Sequence, residues 1–121
     1  MRGIVCLVFL GCLVAVPATA QTSCVAPQRP ADIDGTTVTL DQLKAAIGTV
    51  KQFLASSDTY QDCLGKEVDT QKAAATREKP FDQTIADRNL ALANSNQEMK
   101  ESVGASVNAA ITAYKKAHPA K

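Results

Sequence analysis

The chain has 121 residues, with 13 Lys and Arg against 12 Asp and Glu, and no Trp. Its charges are interspersed and no basic stripe is present to neutralise phosphates, which argues against nucleic acid as a partner and against a strongly anionic membrane surface. Large side chains are too scarce for a thick core, and the alanine content favours closely packed helices.

Residues 1–20 read as a secretory signal peptide. Met1 and Arg2 make a basic start, Ile4 to Val16 an apolar run, and Ala18-Thr19-Ala20 an A-x-A site before Gln21. The run is shorter than the ~20 apolar residues that a bilayer-spanning helix needs. Phe9-Leu10-Gly11-Cys12 resembles a lipoprotein box, which would leave Cys12 lipidated. The A-x-A site is the better match, so cleavage is expected between Ala20 and Gln21. That leaves 101 residues with balanced charge and no transmembrane segment. The A-T-A-Q ending suggests a bacterial periplasm or the medium.

Residues 21–38 hold Pro27, Pro30 and Gly35 and show no helical period. Proline fixes φ and pushes its predecessor toward extended backbone, so this segment is expected to be an extended arm.

A helix is expected over 40–77. Thr39 and Gln42 fit a capping box, and Asp41 lies in the first turn. The series Leu40, Leu43, Ile47, Val50, Leu54, Ser57, Gln61, Leu64, Val68, Gln71 steps by three and four, as a heptad seam does. Pro80 separates it from a second helix over 81–117, opened by Pro80 and Asp82 and closed by Lys115 and Lys116. The second seam reads Ile85, Asn89, Leu92, Asn96, Met99, Val103, Ser106 or Val107, Ala110 or Ile111, Tyr114.

Two helices of similar length joined by about three residues are antiparallel neighbours. A turn centred near Lys79 sets Leu43 opposite Tyr114, Val50 opposite Val107, Leu54 opposite Val103, Gln61 opposite Asn96 and Leu64 opposite Leu92. Ser57, Gln61 and Asn96 then form a polar layer. A buried polar pair can fix register at a cost in stability. The plainer reading, preferred on sequence alone, is a seam wet enough for these residues to need no special role.

Once the leader is removed, only Cys24 and Cys63 remain, and two cysteines in an exported chain most often form one disulfide. The arm is long enough to fold back along the first helix: Leu40 to Cys63 is ~35 Å along the helix, and Cys24 to Thr39 spans up to ~50 Å extended. Cys63 lies beside the seam on the side of Phe53 and Tyr60, a strip on which Val25, Pro27 and Ile33 could pack.

Other chemistry finds little support. No C-x-x-C pair is present, and the only His, His118, sits too far along the second helix to serve Cys63 as a base. Asp58, Asp62 and Lys66 read as a solvated face, and Asp32-Ile33-Asp34-Gly35 as a turn rather than a calcium loop. There is no phosphate loop and no G-x-S-x-G. No catalytic residue, metal ligand or cofactor is expected.

The pattern C-V-A-P…P-A-D-I-D-G…V-K-Q-F-L-A-S-S-D-T-Y-Q-D-C-L, over Cys24 to Leu64, resembles a group of small exported bacterial proteins of unknown function. The resemblance implies no activity and adds weight to pairing Cys24 with Cys63. The expected fold is all-α: a coiled-coil-like hairpin of two long antiparallel helices, with an extended N-terminal arm clipped by a disulfide. The expected role is non-enzymatic, as a structural or interaction module for a partner protein, an envelope component or a second copy. Phe53, Tyr60, Leu90 and Ile111 are its candidate interaction surface. The alternative is a small periplasmic chaperone for unfolded clients.

Overall fold

The computed structural model describes residues 22–119. The leader, the Ala20–Gln21 cleavage site and Cys12 lie outside the described residues. The chain is all-helical: α1 covers Leu40–Ala73 and α2 covers Gln83–Ala117, each about 50 Å long by the rise of ~1.5 Å per residue. They pack as an antiparallel hairpin, and an extended arm returns along them.

The start of α1 follows from its capping box. Thr39 Oγ1 accepts from the Gln42 amide at 3.2 Å, and Gln42 Oε1 accepts from the Thr39 amide at 2.8 Å. Each bond satisfies a backbone donor that the first turn leaves unpaired.

Both helices are shorter at the turn than expected. α1 ends at Ala73 rather than residue 77, and α2 begins at Gln83 rather than residue 81. The connection is therefore 74–82, not about three residues. Two local preferences outcompete helix here. Thr76 turns its hydroxyl to the Lys79 amide at 3.0 Å while its own amide reaches the Lys79 carbonyl at 2.8 Å. Pro80 also disfavours helical backbone at Lys79. Asp82, expected inside the first turn, is the N-cap: one carboxylate oxygen accepts from the Thr84 amide at 3.0 Å and hydroxyl at 2.7 Å. Lys72 Nζ sits 5.6 Å from the Phe81 ring centroid, a cation–π contact that folds the loop onto the end of α1.

The register survives because the shortening is nearly symmetric. Gln61 Nε2 donates to Asn96 Oδ1 at 3.0 Å, as expected for that facing pair. Leu92 packs against the cluster of Cys24, Tyr60 and Leu64. Val50 and Val107 line one small cavity together.

Burial follows the predicted seam and widens it in α1. There the seam residues Leu43, Ser57 and Leu64 are buried together with Phe53 and Tyr60 beside them, while the seam's Leu40 is 47% exposed. In α2 the buried residues are Asn89, Asn96, Val103 and Ala110, all on the seam and each seven apart. Of the open alternatives, Ala110 is the buried one and Ile111 is half-buried. The stripe is wider on the side of Phe53 and Tyr60 because the arm packs there as a third rod.

Candidate functional site

The site is the junction of arm and hairpin. Cys24 and Cys63 are joined by a disulfide, with Cα atoms 5.8 Å apart. From there the arm runs antiparallel to α1. Nine residues from Cys24 to Ile33 span ~28 Å in extended proline-rich backbone. Seventeen residues of helix from Cys63 back to Ala46, which shares a cavity with Ile33, span ~26 Å. The two lengths agree, so the arm lies along the groove without slack.

Its near end is tied at Glu67. Thr22 Oγ1 donates to Glu67 Oε2 at 2.7 Å, Asn89 Nδ2 to the same oxygen at 2.8 Å, and Arg88 approaches it at 3.3 Å. One carboxylate thus joins arm, α1 and α2. The Asn89 and Thr22 hydrogen bonds hold its pKa below the ordinary glutamate value against the cost of burial, with lesser help from the Arg88 charge and the Ser23 amide. Asn89 also donates to the Leu64 carbonyl at 3.0 Å.

The far end crosses onto α2. Arg29 donates to Ser102 Oγ at 2.9 Å and pairs with Asp32 at 3.1 Å. Ser106 Oγ donates to Asp32 at 2.7 Å. These bonds, that of Ser106 first, lower the Asp32 pKa although the group is exposed. Gly35 then meets the backbone of Ala110: a Cβ at position 35 would lie 1.9 Å from the Ala110 carbonyl oxygen. Ser102, Ser106 and Ala110 recur every four residues, so α2 presents a row of small side chains where the arm crosses. Asp34 closes the turn into α1, with one side-chain oxygen accepting from the Thr36 amide at 2.9 Å and its carbonyl from the Thr37 amide at 3.2 Å. The aspartates around Gly35 therefore build an arm crossing and a turn.

Behind the arm lies the polar layer. Asn96 Nδ2 donates to Ser57 Oγ at 3.2 Å and Asn96 Oδ1 accepts from Gln61. Ser57 is 0% exposed and Asn96 5%. The wet-seam preference fails at Ser57 and Asn96, which are buried and satisfy each other, while Gln61 is half-buried at the edge of the layer. Among the described residues, no buried side-chain nitrogen or oxygen lacks a partner.

The candidate interaction surface divides. Phe53 and Tyr60 are buried at 4% and 5% exposure, so they are not open to a partner in this conformation. Leu90 is 62% exposed, and Ile111 is half-buried. On the arm, Pro27 and Ile33 are half-buried as expected, but Val25 points to solvent at 86% exposure. A side chain neighbouring the linked Cys24 on an extended strand faces away from the helix. A groove of about 620 Å³ runs between the arm and the outer row Thr49, Gln52, Ser56 and Thr59 of α1.

The remaining residues singled out in the sequence have structural partners. Asp58 pairs with Lys100 across the hairpin rather than with its own helix. No ion pair joins Asp62 to Lys66 among the described residues. His118 stacks on Tyr114 at 4.3 Å between ring centroids, and its amide caps the Tyr114 carbonyl at 2.9 Å. Sequence reasoning missed Glu67, Gly35 and the Ser102–Ser106–Ala110 row. Glu67 continues the seven-residue spacing of Phe53 and Tyr60, which was its only signal. Compared with known families, curated proteins and solved structures, the chain matches none.

Proposed function

We propose that this chain is an exported, non-enzymatic protein-interaction module. The observation that carries the reading is the Cys24–Cys63 disulfide closing the arm onto the hairpin. Such bonds persist in oxidising compartments, in keeping with the leader-like residues 1–20. The same bond removes the thiol of Cys63 from nucleophilic chemistry, and His118 is engaged at the far end of α2. What the oxidised molecule offers a partner is surface: Leu90 on the hairpin face away from the arm, and the groove bordered by Pro27, Gln28 and Gln52. No helix among the described residues is long and apolar enough to cross a membrane.

The test is in-cell photocrosslinking from positions 52 and 90, with export checked by N-terminal sequencing of the recovered chain. The reading predicts an N-terminus at Gln21 and one discrete crosslinked species from one of the two positions. A chain that keeps its leader inside the cell, or crosslinks to nothing from either face, contradicts it.

A further inference from the structure

We infer that residues 22–28 form a thiol-controlled cover over Tyr60, so that this ring is exposed only when Cys24–Cys63 is reduced. The inference concerns the conformation of the chain itself and stands whether or not the interaction reading above is correct.

The arm is fastened unevenly. From Arg29 onward it holds α2 through Ser102, through the Asp32–Ser106 bond and through the close seat of Gly35 on Ala110. Before Arg29 the fastening is sparse. Thr22 and the Ser23 amide reach Glu67 and Cys24 is buried, but beyond them only Pro27 is half-buried, and Val25, Ala26 and Gln28 are exposed. No backbone hydrogen bond ties residues 25–28 to either helix. Ordering seven residues costs conformational entropy at each of them, and the disulfide is the one covalent tie that offsets it. Beneath this segment lies Tyr60, packed on Cys24. The hairpin has its own fastening in Ser57, Asn96, Leu43 and Val103, all buried in the two helices.

The chemistry requires a dithiol reductant. Its thiolate attacks the sulfur of Cys63, a half-buried residue that lines two adjoining grooves. The Cys63–Cys24 bond breaks and Cys24 leaves as a thiolate that takes up a proton. The second thiol of the reductant then attacks the mixed disulfide and releases Cys63 as a thiol. Two electrons pass to the protein, and the reductant departs as a cyclic disulfide.

The experiment is NMR of the chain lacking residues 1–20, with a neutral paramagnetic cosolute reporting solvent access. It compares the oxidised form, the same sample with dithiothreitol, and Cys24→Ser. The ring protons of Tyr60 are expected to show enhancements several-fold higher in both cysteine-opened forms, approaching that of Leu90. Those of Leu43 and Val103 stay as in the oxidised form. An unchanged ring would mean that the arm stays seated without the bond. A joint rise at Leu43 and Val103 would mean that the bond holds the whole hairpin rather than a cover. Either result overturns the inference.

Discussion

At the scale of single residues, the strictest requirement falls on Gly35. The Ala110 carbonyl occupies the place of any Cβ there, and the obstacle is backbone, which cannot swing aside. Gly35→Ala is expected to destabilise by about 3 kcal/mol, the upper end of ordinary overpacking. Thermal melting should fall by more than 10 °C, taking ~4–8 °C per kcal/mol for a domain of this size. Asn96 is the second such position. Asn96→Leu leaves Ser57 Oγ buried without its donor and should cost ~2–3 kcal/mol. Ser57→Ala in the same chain removes the orphan. Denaturant unfolding of both singles and the double should therefore show a coupling of about 1 kcal/mol or more. Additive costs would mean that the layer is wetter than its burial indicates. In sequence, Gly35 looked like one more turn glycine, because nothing local marks a residue chosen for a backbone 75 positions away. The Gln61–Asn96 pairing was legible, since a register drawn from the turn already set them opposite. The burial of Asn96 and Ser57 was not, because the arm that packs along the hairpin has no periodicity to predict where it lies.

At the scale of elements, helix existence and pairing followed from periodicity, while helix ends followed from caps. The Thr39 box was readable as a local motif and is formed as read. Thr39→Ala is expected to lower stability by ~1 kcal/mol, measured by chemical denaturation, with no change in the position of α2. The other end of α1 misled because the expected helix was carried past the last seam residue, Gln71, to 77, while Thr76 and Pro80 impose a loop. Hydrophobic spacing does not register that competition between side-chain and backbone hydrogen bonds. The wider burial stripe of α1 was likewise not legible. A heptad seam describes a two-helix contact, and the third rod buries Phe53 and Tyr60 outside it.

At the scale of the whole molecule, two carboxylates and one disulfide bind the arm. Glu67 and Asp32 both have pKa values depressed by hydrogen bonds that exist only in the folded chain. The unfolded chain therefore takes up protons at higher pH than the folded one. Their stabilisation is complete above the ordinary value of 4.5 for Glu67 and 3.8 for Asp32, and is lost as pH falls through the lower folded values. Thermal melting should be flat from pH 7 to about pH 5 and decline below ~4.5. In Glu67→Gln the acid decline should be shallower. The disulfide closes a loop with a sequence separation of 39, which in the chain-entropy model stabilises by about 4 kcal/mol. Reduction should accordingly lower the melting temperature while far-ultraviolet circular dichroism at low temperature still reports two helices.

The claim on which the account turns is that Cys24 of each chain is bonded to Cys63 of the same chain, holding the arm in its groove. Peptide mapping under non-reducing conditions, on separately labelled light and heavy chains that are mixed, reduced and reoxidised together, measures this directly. The account predicts a single linked species joining the Cys24 and Cys63 peptides, always light with light or heavy with heavy. Free thiols at both positions, or light–heavy linked pairs, would contradict it.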